Sequence, residues 1–243
     1  MTTTEMTSGS GVRRALAYEW SAFKTARSNW VLVGAALVVQ LLLTVVAHHS
    51  GEHGDITFDK VLSVGWLFAA LVAALGVNSF GTEYRYRTIS TTVLVAGSRL
   101  RVLLAKAVVV TAAAAVTEVV VVSASWVVLA TALGAAPTVS TSLAMGTGVV
   151  VYAVLLTLIG LALGVLLHGS VLPIAMLVVW PQVEMFLINQ LDLPQWLHVV
   201  LQPCYSARQL ISESPDWPGV LPMLGLSAVL LGAAGIVLSR RDV

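Results

Sequence analysis

The chain has 243 residues, 58% of them hydrophobic and only 10% charged, with a mean hydropathy of +0.91. This composition excludes an ordinary soluble domain and is typical of a protein that crosses a membrane several times. The net charge of +1 does not identify partners, because the position of each charge along a membrane protein is more informative than the sum. The single cysteine, Cys204, has no intrachain partner for a disulfide.

Two segments precede the first long apolar run. Residues 1–10 are polar, and we predict that they are disordered. In residues 11–29 apolar side chains recur every three or four positions, and most of the charged side chains fall between them. This pattern predicts an amphipathic helix that lies in the cytosolic headgroup layer. Its apolar positions are Val12, Leu16, Trp20 and Phe23.

Six apolar runs follow, each close to or above the ~20 residues that a helix needs to cross about 30 Å of hydrocarbon. They cover residues 30–47, 61–81, 102–134, 143–167, 171–190 and 220–238. We therefore predict an all-α, polytopic membrane protein in which residues 30–243 form one domain with six transmembrane helices.

The basic residues indicate how these helices are oriented. An even number of spans puts both termini on one side, and eleven of the thirteen Lys and Arg residues then fall on that side. The eleven are Arg13, Arg14, Lys24, Arg27, Arg85, Arg87, Arg99, Arg101, Lys106, Arg240 and Arg241. The positive-inside rule therefore places both termini in the cytosol, with residues 191–218 as an outer segment that contains short helices. We expect the chain to lie in the cell membrane.

Two carboxylates fall within the predicted spans. Glu118 lies about midway along the third run, where a charge costs about 2.5–3.5 kcal/mol, and Glu184 follows Pro181 in the outer half of the fifth. An intramembrane carboxylate indicates a functional site by default, facing the bundle interior or a wet cavity. The alternative is a structural glutamate that is hydrogen-bonded to a neighbouring helix.

The sequence predicts no metal or cofactor in this chain. The spacing of His48, His49 and His53 allows metal binding, but this Gly-rich segment has no further His or Cys beside it, and a solvated loop is the favoured interpretation. The chain has no GxxxxGK[ST] motif for nucleotide phosphates. If ATP drives this protein, then ATP and Mg²⁺ bind to a separate chain.

Small residues in two spans predict close helix packing. Gly160 and Gly164 form a GxxxG motif in the fourth span, and Gly232 and Gly235 lie in the sixth. Such residues let helices approach closely. We expect contacts within the chain, since the motif is common in any helical bundle.

Four stretches carry a resemblance to a known family. They are EWSAFKTARSNW before the first span, EYRYRTI and SRLRVLLAK between the second and third, and VLSRRDV after the last. In order and spacing the chain resembles the permease subunits of the ATP-binding-cassette type-2 export family. The resemblance implies a type V exporter-like fold, with an N-terminal connecting helix and a cytosolic coupling helix at about residues 82–99.

The resemblance also implies partners and site residues. Such permeases pair with a second copy or homologue, bind two cytosolic ATPase subunits and contact lipid, and we expect no nucleic-acid partner. The residues carried onto or beside the coupling helix are Glu83, Tyr84, Arg85, Thr88, Ile89 and Arg99, with Lys106 at the base of the third span. Ala substitution of Glu83 or Arg85 is expected to uncouple ATP hydrolysis from export.

By the same resemblance, spans one, two and five face the partner permease and enclose the translocation path. The polar and aromatic candidates there are Gln40, Trp66, Asn78, Trp180, Gln182 and Glu184. A largely apolar lining suits an amphiphilic cargo such as a drug, antibiotic, lipid or modified peptide. Two alternatives stay open: a membrane enzyme using Glu118 and Glu184, and a membrane-embedded sensor or immunity scaffold that binds a ligand without moving it.

Overall fold

The computed structural model describes residues 5–50, 65–86, 98–131, 139–190, 202–212 and 215–240. These residues form eight α-helices and one 3₁₀ turn. In chain order they are α1 (Glu5–Thr25), α2 (Arg27–Ser50), α3 (Gly65–Tyr86), α4 (Arg99–Thr131), α5 (Val139–Leu167), α6 (Val171–Gln190), α7 (Pro203–Arg208), the 3₁₀ turn Trp217–Val220 and α8 (Leu221–Arg240).

The helical membrane class is confirmed, and four of the six predicted spans have clear counterparts. The segments long and apolar enough to cross a membrane are Arg27–Val46, Arg99–Thr131, Ser142–Leu167 and Trp217–Arg240. The fifth predicted run forms α6, but its apolar part, Val171–Glu184, is shorter. The second run begins at residues outside the described chain and continues as α3. The count of six therefore stays a prediction.

The first helix begins earlier than the sequence pattern predicts. We expected disorder through residue 10, but α1 starts at Glu5. One part of the apolar side of this helix packs inside the protein, and the other part is exposed. Ala15 and Leu16 pack against residues of α3 and α4, while Val12 and Trp20 are each 46% exposed.

Helix α3 lies at the centre of the described bundle, against α5. A Cβ added to Gly76 would lie 2.3 Å from the carbonyl oxygen of Thr157. On α5, a Cβ at Gly160 would lie 2.7 Å from the carbonyl oxygen of Ala73. These glycines therefore permit backbone-to-backbone contact between α3 and α5, and the predicted intramolecular role of the motif in the fourth span is confirmed.

The small residues of α8 are in looser surroundings. A Cβ on Gly232 would meet nothing within 4 Å among the described residues, and one on Gly235 would meet only side-chain atoms at 3.7 Å or more. The expectation of close packing at Gly232 is therefore wrong for the part of the chain described. This glycine lies on an open face of its helix.

Burial of α3 also bears on the predicted partner surface. Between Phe68 and Gly81, eleven of fourteen positions are buried within the subunit itself. Helices α2 and α6, by contrast, expose large apolar side chains such as Leu42, Val179 and Phe186. The described residues therefore do not support span two as a broad contact with a second permease, whereas spans one and five keep open apolar faces.

The helices are joined differently at their two ends. We call the end that carries Thr25, Tyr86, Arg99 and His168 the inner end, and the opposite end the outer end. At the inner end, residues 168–170, which separate the fourth and fifth apolar runs, form a short turn between α5 and α6, with His168 in the left-handed region at φ 55°. At the outer end, α7 falls within the predicted outer helical segment and the 3₁₀ turn begins at its last residues, while residues 191–201 lie outside the described chain.

Candidate functional site

Three charged side chains meet at the inner end, and we call them the Lys106 triad. The Nζ of Lys106, on α4, lies 2.7 Å from Oε2 of Glu19 on α1 and 2.8 Å from Oε1 of Glu83 on α3. The side chains are 3%, 6% and 11% exposed, respectively. The ammonium also lies 5.1 Å from the ring centroid of Phe80, within cation–π range. One cation therefore joins three helices that are distant in sequence.

The charge balance of the triad is uneven. Two carboxylates share one ammonium, so a fully ionised triad has a net charge of −1 in surroundings that exclude most water. Burial raises the pKa of Glu19, and the nearby carboxylate of Glu83 adds to this effect, while Lys106 opposes it. The ionised form of Glu19 is consequently less favourable in the folded protein than in water.

A second polar link fixes the junction between α1 and α2. Nδ2 of Asn78, on α3, donates to Oγ of Ser28 at 2.7 Å and to Oδ1 of Asn29 at 3.0 Å. Nδ2 of Asn29 donates in turn to the carbonyl oxygen of Phe23 at 3.1 Å. Asn78, predicted to line the path, therefore holds α3 to the turn that separates α1 from α2.

A cleft lies between these two links. Its volume is about 280 Å³, and α1, α2, α3 and α4 all contribute to its walls. Tyr18 and Phe23 form part of the α1 wall, while Glu83 and Lys106 bring the triad to its surface. The inner ends of α3 and α4 are thus in contact with α1 through polar groups and yet incompletely packed against it.

The six residues predicted for ATPase coupling differ in burial and in their contacts. Glu83 is buried in the Lys106 triad, and Tyr84 is partly buried, with its ring 5.0 Å from that of His168. Arg99 donates from Nη1 to the carbonyl oxygen of Leu238 at 3.1 Å, at the end of α8. Arg85 is exposed. Thr88 and Ile89 lie outside the described residues.

The predicted path residue Glu184 accepts hydrogen bonds from α6 and from the start of α7. Its carboxylate accepts from Nε1 of Trp180 at 2.5 Å and from the backbone N–H of Tyr205 at 2.8 Å. Glu184 is fully buried, whereas Trp180 is 46% exposed. In this conformation Glu184 fixes the start of α7 onto α6, as the structural alternative describes, and does not reach the surface.

The remaining candidates do not form one site. Gln40, on α2, is 1% exposed, and Gln182, on α6, is exposed. The side chain of Trp66 is not among those that the structure describes. Glu118 is 1% exposed on α4, and Glu184 bonds to Trp180 and to the start of α7. The structure therefore does not bring the two intramembrane carboxylates together as a membrane enzyme would require. The side chains of the histidine cluster also lie outside the described residues.

Sequence reasoning missed two features of the inner end. Glu19 is the one acidic residue among the cations of residues 11–29, and this was the available signal for an ion pair with a basic residue of another helix. Tyr86, 69% exposed at the end of α3, extends the surface that Arg85 begins. A large exposed aromatic beside an arginine is typical of protein contact surfaces.

Comparison with known proteins agrees with the resemblance. Residues 15–182, more than half of the chain, match the family model described as ABC-2 family transporter protein. The match covers the second half of α1, all of α2 to α5, the Lys106 triad and most of α6. No curated protein sequence matches the chain. The chain therefore belongs to the ABC-2 transporter family and is a multi-pass membrane permease of an ABC transporter, a class that works with ABC ATPase subunits.

Proposed function

We propose that this chain is the membrane-spanning subunit of an ATP-driven exporter, and that the inner ends of α3 and α4 receive movement from a cytosolic ATPase. The observation that carries the proposal is the Lys106 triad. Its members come from α1 and from the two helices that flank the predicted coupling segment. A displacement of that segment is therefore transmitted to α1, α3 and α4 together.

The triad stiffens the inner end of the bundle. Breaking one partner out of a buried ion pair costs about 3–5 kcal/mol, because the remaining charge is left without its counter-ion. The triad therefore resists separation of the three helices, and they move as a unit. Helix displacement of this kind is an established way to convert a local binding event into a change at a distance.

The exposed pair Arg85 and Tyr86 supplies a contact for the ATPase. Both lie at the inner end of α3, one turn or less from the triad residue Glu83. We propose that two ATPase subunits, which carry ATP and Mg²⁺, bind two permeases on this side. Both termini then face the cytosol, as the distribution of basic residues indicates.

The open apolar faces of α2 and α6 support a second permease as partner. Leu42 is 59% exposed on α2, and Phe186 is 64% exposed on α6. We propose that these faces enclose a path between two copies or homologues, with the exposed indole of Trp180 as a contact for cargo. A mostly apolar path with a few polar groups suits an amphiphilic drug, antibiotic, lipid or modified peptide.

Copurification and coupled activity test this function. The full-length chain is isolated from its native membrane, the ATPase bound to it is identified, and both are placed in vesicles loaded with a fluorescent amphiphile. The proposal predicts stoichiometric ATPase and ATP-dependent export. Arg85→Ala should insert into the membrane normally but lower the export per ATP hydrolysed. The outer-end control Gln209→Ala should insert normally and leave export per ATP hydrolysed unchanged.

Two results would contradict the proposal. Isolation of the folded chain without any ATPase, together with ligand binding but no transport, would favour the sensor or immunity scaffold. Turnover of a substrate by the chain without an ATPase would favour a membrane enzyme.

A further inference from the structure

Two buried polar side chains in the bundle core have atoms without hydrogen-bond partners. Glu118, on α4, and Gln40, on α2, are each 1% exposed. Neither Oε1 of Glu118 nor Nε2 of Gln40 has a hydrogen-bond partner among the described residues. Oε1 of Glu118 is a hydrogen-bond acceptor and Nε2 of Gln40 is a donor, so the two atoms are complementary hydrogen-bond partners.

Contacts above and below these residues place them on facing stripes. Toward the inner end, Ala36 of α2 and Ala114 of α4 belong to one buried cluster, together with Val72 and Leu75 of α3. Gln40 is one turn beyond Ala36, and Glu118 is one turn beyond Ala114. Side chains four positions apart lie on the same face of a helix.

Toward the outer end, the same two stripes are joined by a hydrogen bond. Oγ1 of Thr44 lies 3.4 Å from Oγ of Ser125. Gln40 is four residues before Thr44, and Glu118 is seven before Ser125. At 1.5 Å per residue, the two side chains are therefore offset by about 5 Å along the helices, which long side chains can span.

Among the described residues, no cation compensates Glu118. The basic residue of α4 that lies nearest to Glu118 along the helix is Lys106, and it is bound in the triad with Glu19 of α1 and Glu83 of α3. Helix α2 has no titratable side chain between Arg27 and His48, and α3 has none between Gly65 and Glu83.

The other helices packed against α4 supply no counter-charge either. On α5 the one titratable side chain is Tyr152, which lines a small pocket with Cys204 and Arg208. On α8 it is Arg240, at the inner end. An ionised carboxylate left without a cation or donors in such a place carries a large desolvation cost.

We propose that Glu118 and Gln40 form a proton-binding site in the core of the bundle. Its occupied form is the neutral acid of Glu118 paired with the amide of Gln40. The acid O–H donates to the amide oxygen, and the amide Nε2 donates to the acid carbonyl oxygen. One proton taken from water thereby satisfies both orphaned atoms and removes the buried charge. Because the two partners lie on α2 and α4, loss of this proton weakens the packing of these helices.

Infrared difference spectroscopy on the full-length chain in phosphatidylcholine nanodiscs tests the site. At neutral pH the carbonyl band of a protonated carboxylic acid should be present in the wild type and absent from Glu118→Gln. The matched control Glu184→Gln should leave that band in place. In Gln40→Leu the band should persist but shift in frequency, since the amide no longer bonds to the acid.

Either of two results would overturn the proposal. Carboxylate bands assigned to Glu118 at neutral pH would show that the site holds no proton. An acid band with the same frequency in Gln40→Leu would show that Gln40 is not its partner. The variant Glu118→Gln replaces the acid with an amide of the same shape and is expected to fold. If it does not, the shift in Gln40→Leu identifies the band instead.

Discussion

The inner and outer ends of this permease use carboxylates in different ways. At the inner end, Glu19 and Glu83 share the ammonium of Lys106, so three helices are joined through opposite charges. At the outer end, Glu184 accepts hydrogen bonds from an indole and a backbone N–H, and it fixes only the short α7 to α6. The inner arrangement joins three long helices, whereas the outer one holds a local cap in position.

The largest expected effect comes from removing the shared cation. Lys106→Met leaves two buried carboxylates close together, and we expect a loss of about 3–5 kcal/mol in the free energy of unfolding. Thermal unfolding of the purified chain measures this loss. Lowering the pH should restore part of the stability, because protonation of a carboxylate removes the repulsion.

The control for this variant is Lys24→Met. Lys24 lies on α1, in the last turn, and its ammonium is 4.9 Å from the ring centroid of the exposed Trp20. We expect this substitution to cost less than about 1 kcal/mol, as exposed cation–π pairs do. Equal losses in the two variants would mean that the triad does not join the helices.

A smaller effect is expected at the outer end. Glu184→Gln keeps the shape of the side chain but removes the negative charge from the group that accepts hydrogen bonds from Trp180 and Tyr205. We expect this to lower the free energy of unfolding by about 1.5–3 kcal/mol. Limited proteolysis should then cut residues 202–212 faster. The neighbouring exposed Gln182→Leu should not change the rate; if it does so equally, Glu184 is not the anchor.

The next largest loss of stability is expected at the contact between α3 and α5, which lies between the two ends of the bundle. Gly76→Ala pushes a methyl group against the backbone of Thr157, and we expect a loss of about 1–3 kcal/mol in stability. The matched control is Gly232→Ala, which meets nothing within 4 Å among the described residues and should raise helix propensity slightly. Thermal unfolding of both variants checks the prediction, and an unchanged midpoint for Gly76→Ala would contradict the close contact of α3 and α5.

The smallest effect is a pH dependence. Burial raises the pKa of Glu19 above the ordinary value of 4.5, so the folded chain holds a proton there over a pH range in which the unfolded chain has lost it. Stability contributed by this group is therefore present at low pH and falls as the pH rises above about 4.5. Glu19→Gln should flatten this part of the stability profile, and an unchanged profile would contradict the assignment.

Local patterns were enough to predict much of the architecture. Apolar runs located the long helices, the short polar stretch at residues 168–170 located a turn, and Gly160 with Gly164 identified a helix contact. These features depend on neighbouring residues, so a single sequence contains them.

The pairings at the candidate site were beyond such patterns. Glu19 and Lys106 are 87 positions apart, and Tyr205 and Glu184 are 21 apart. Which of these groups meet depends on how the helices pack, not on periodicity. For the same reason Asn78 and Arg99, which the resemblance assigned to the path and to the coupling helix, have structural partners that the sequence did not indicate.

The most direct test of the central claim is the accessibility of the inner end of α3. Tyr86→Cys is labelled with a membrane-impermeant maleimide, with Gln209→Cys as the outer-end control. Cys204 gives little background, because it is buried and burial raises the pKa of its thiol, with the carboxylate of Glu184 adding to the shift.

We expect Tyr86→Cys to be labelled in inverted vesicles but not in intact cells, and the bound ATPase to protect it from labelling. Gln209→Cys should show the opposite pattern. Labelling of Tyr86→Cys from outside intact cells, or labelling in inverted vesicles that the ATPase leaves unchanged, would contradict a cytosolic docking surface at this end.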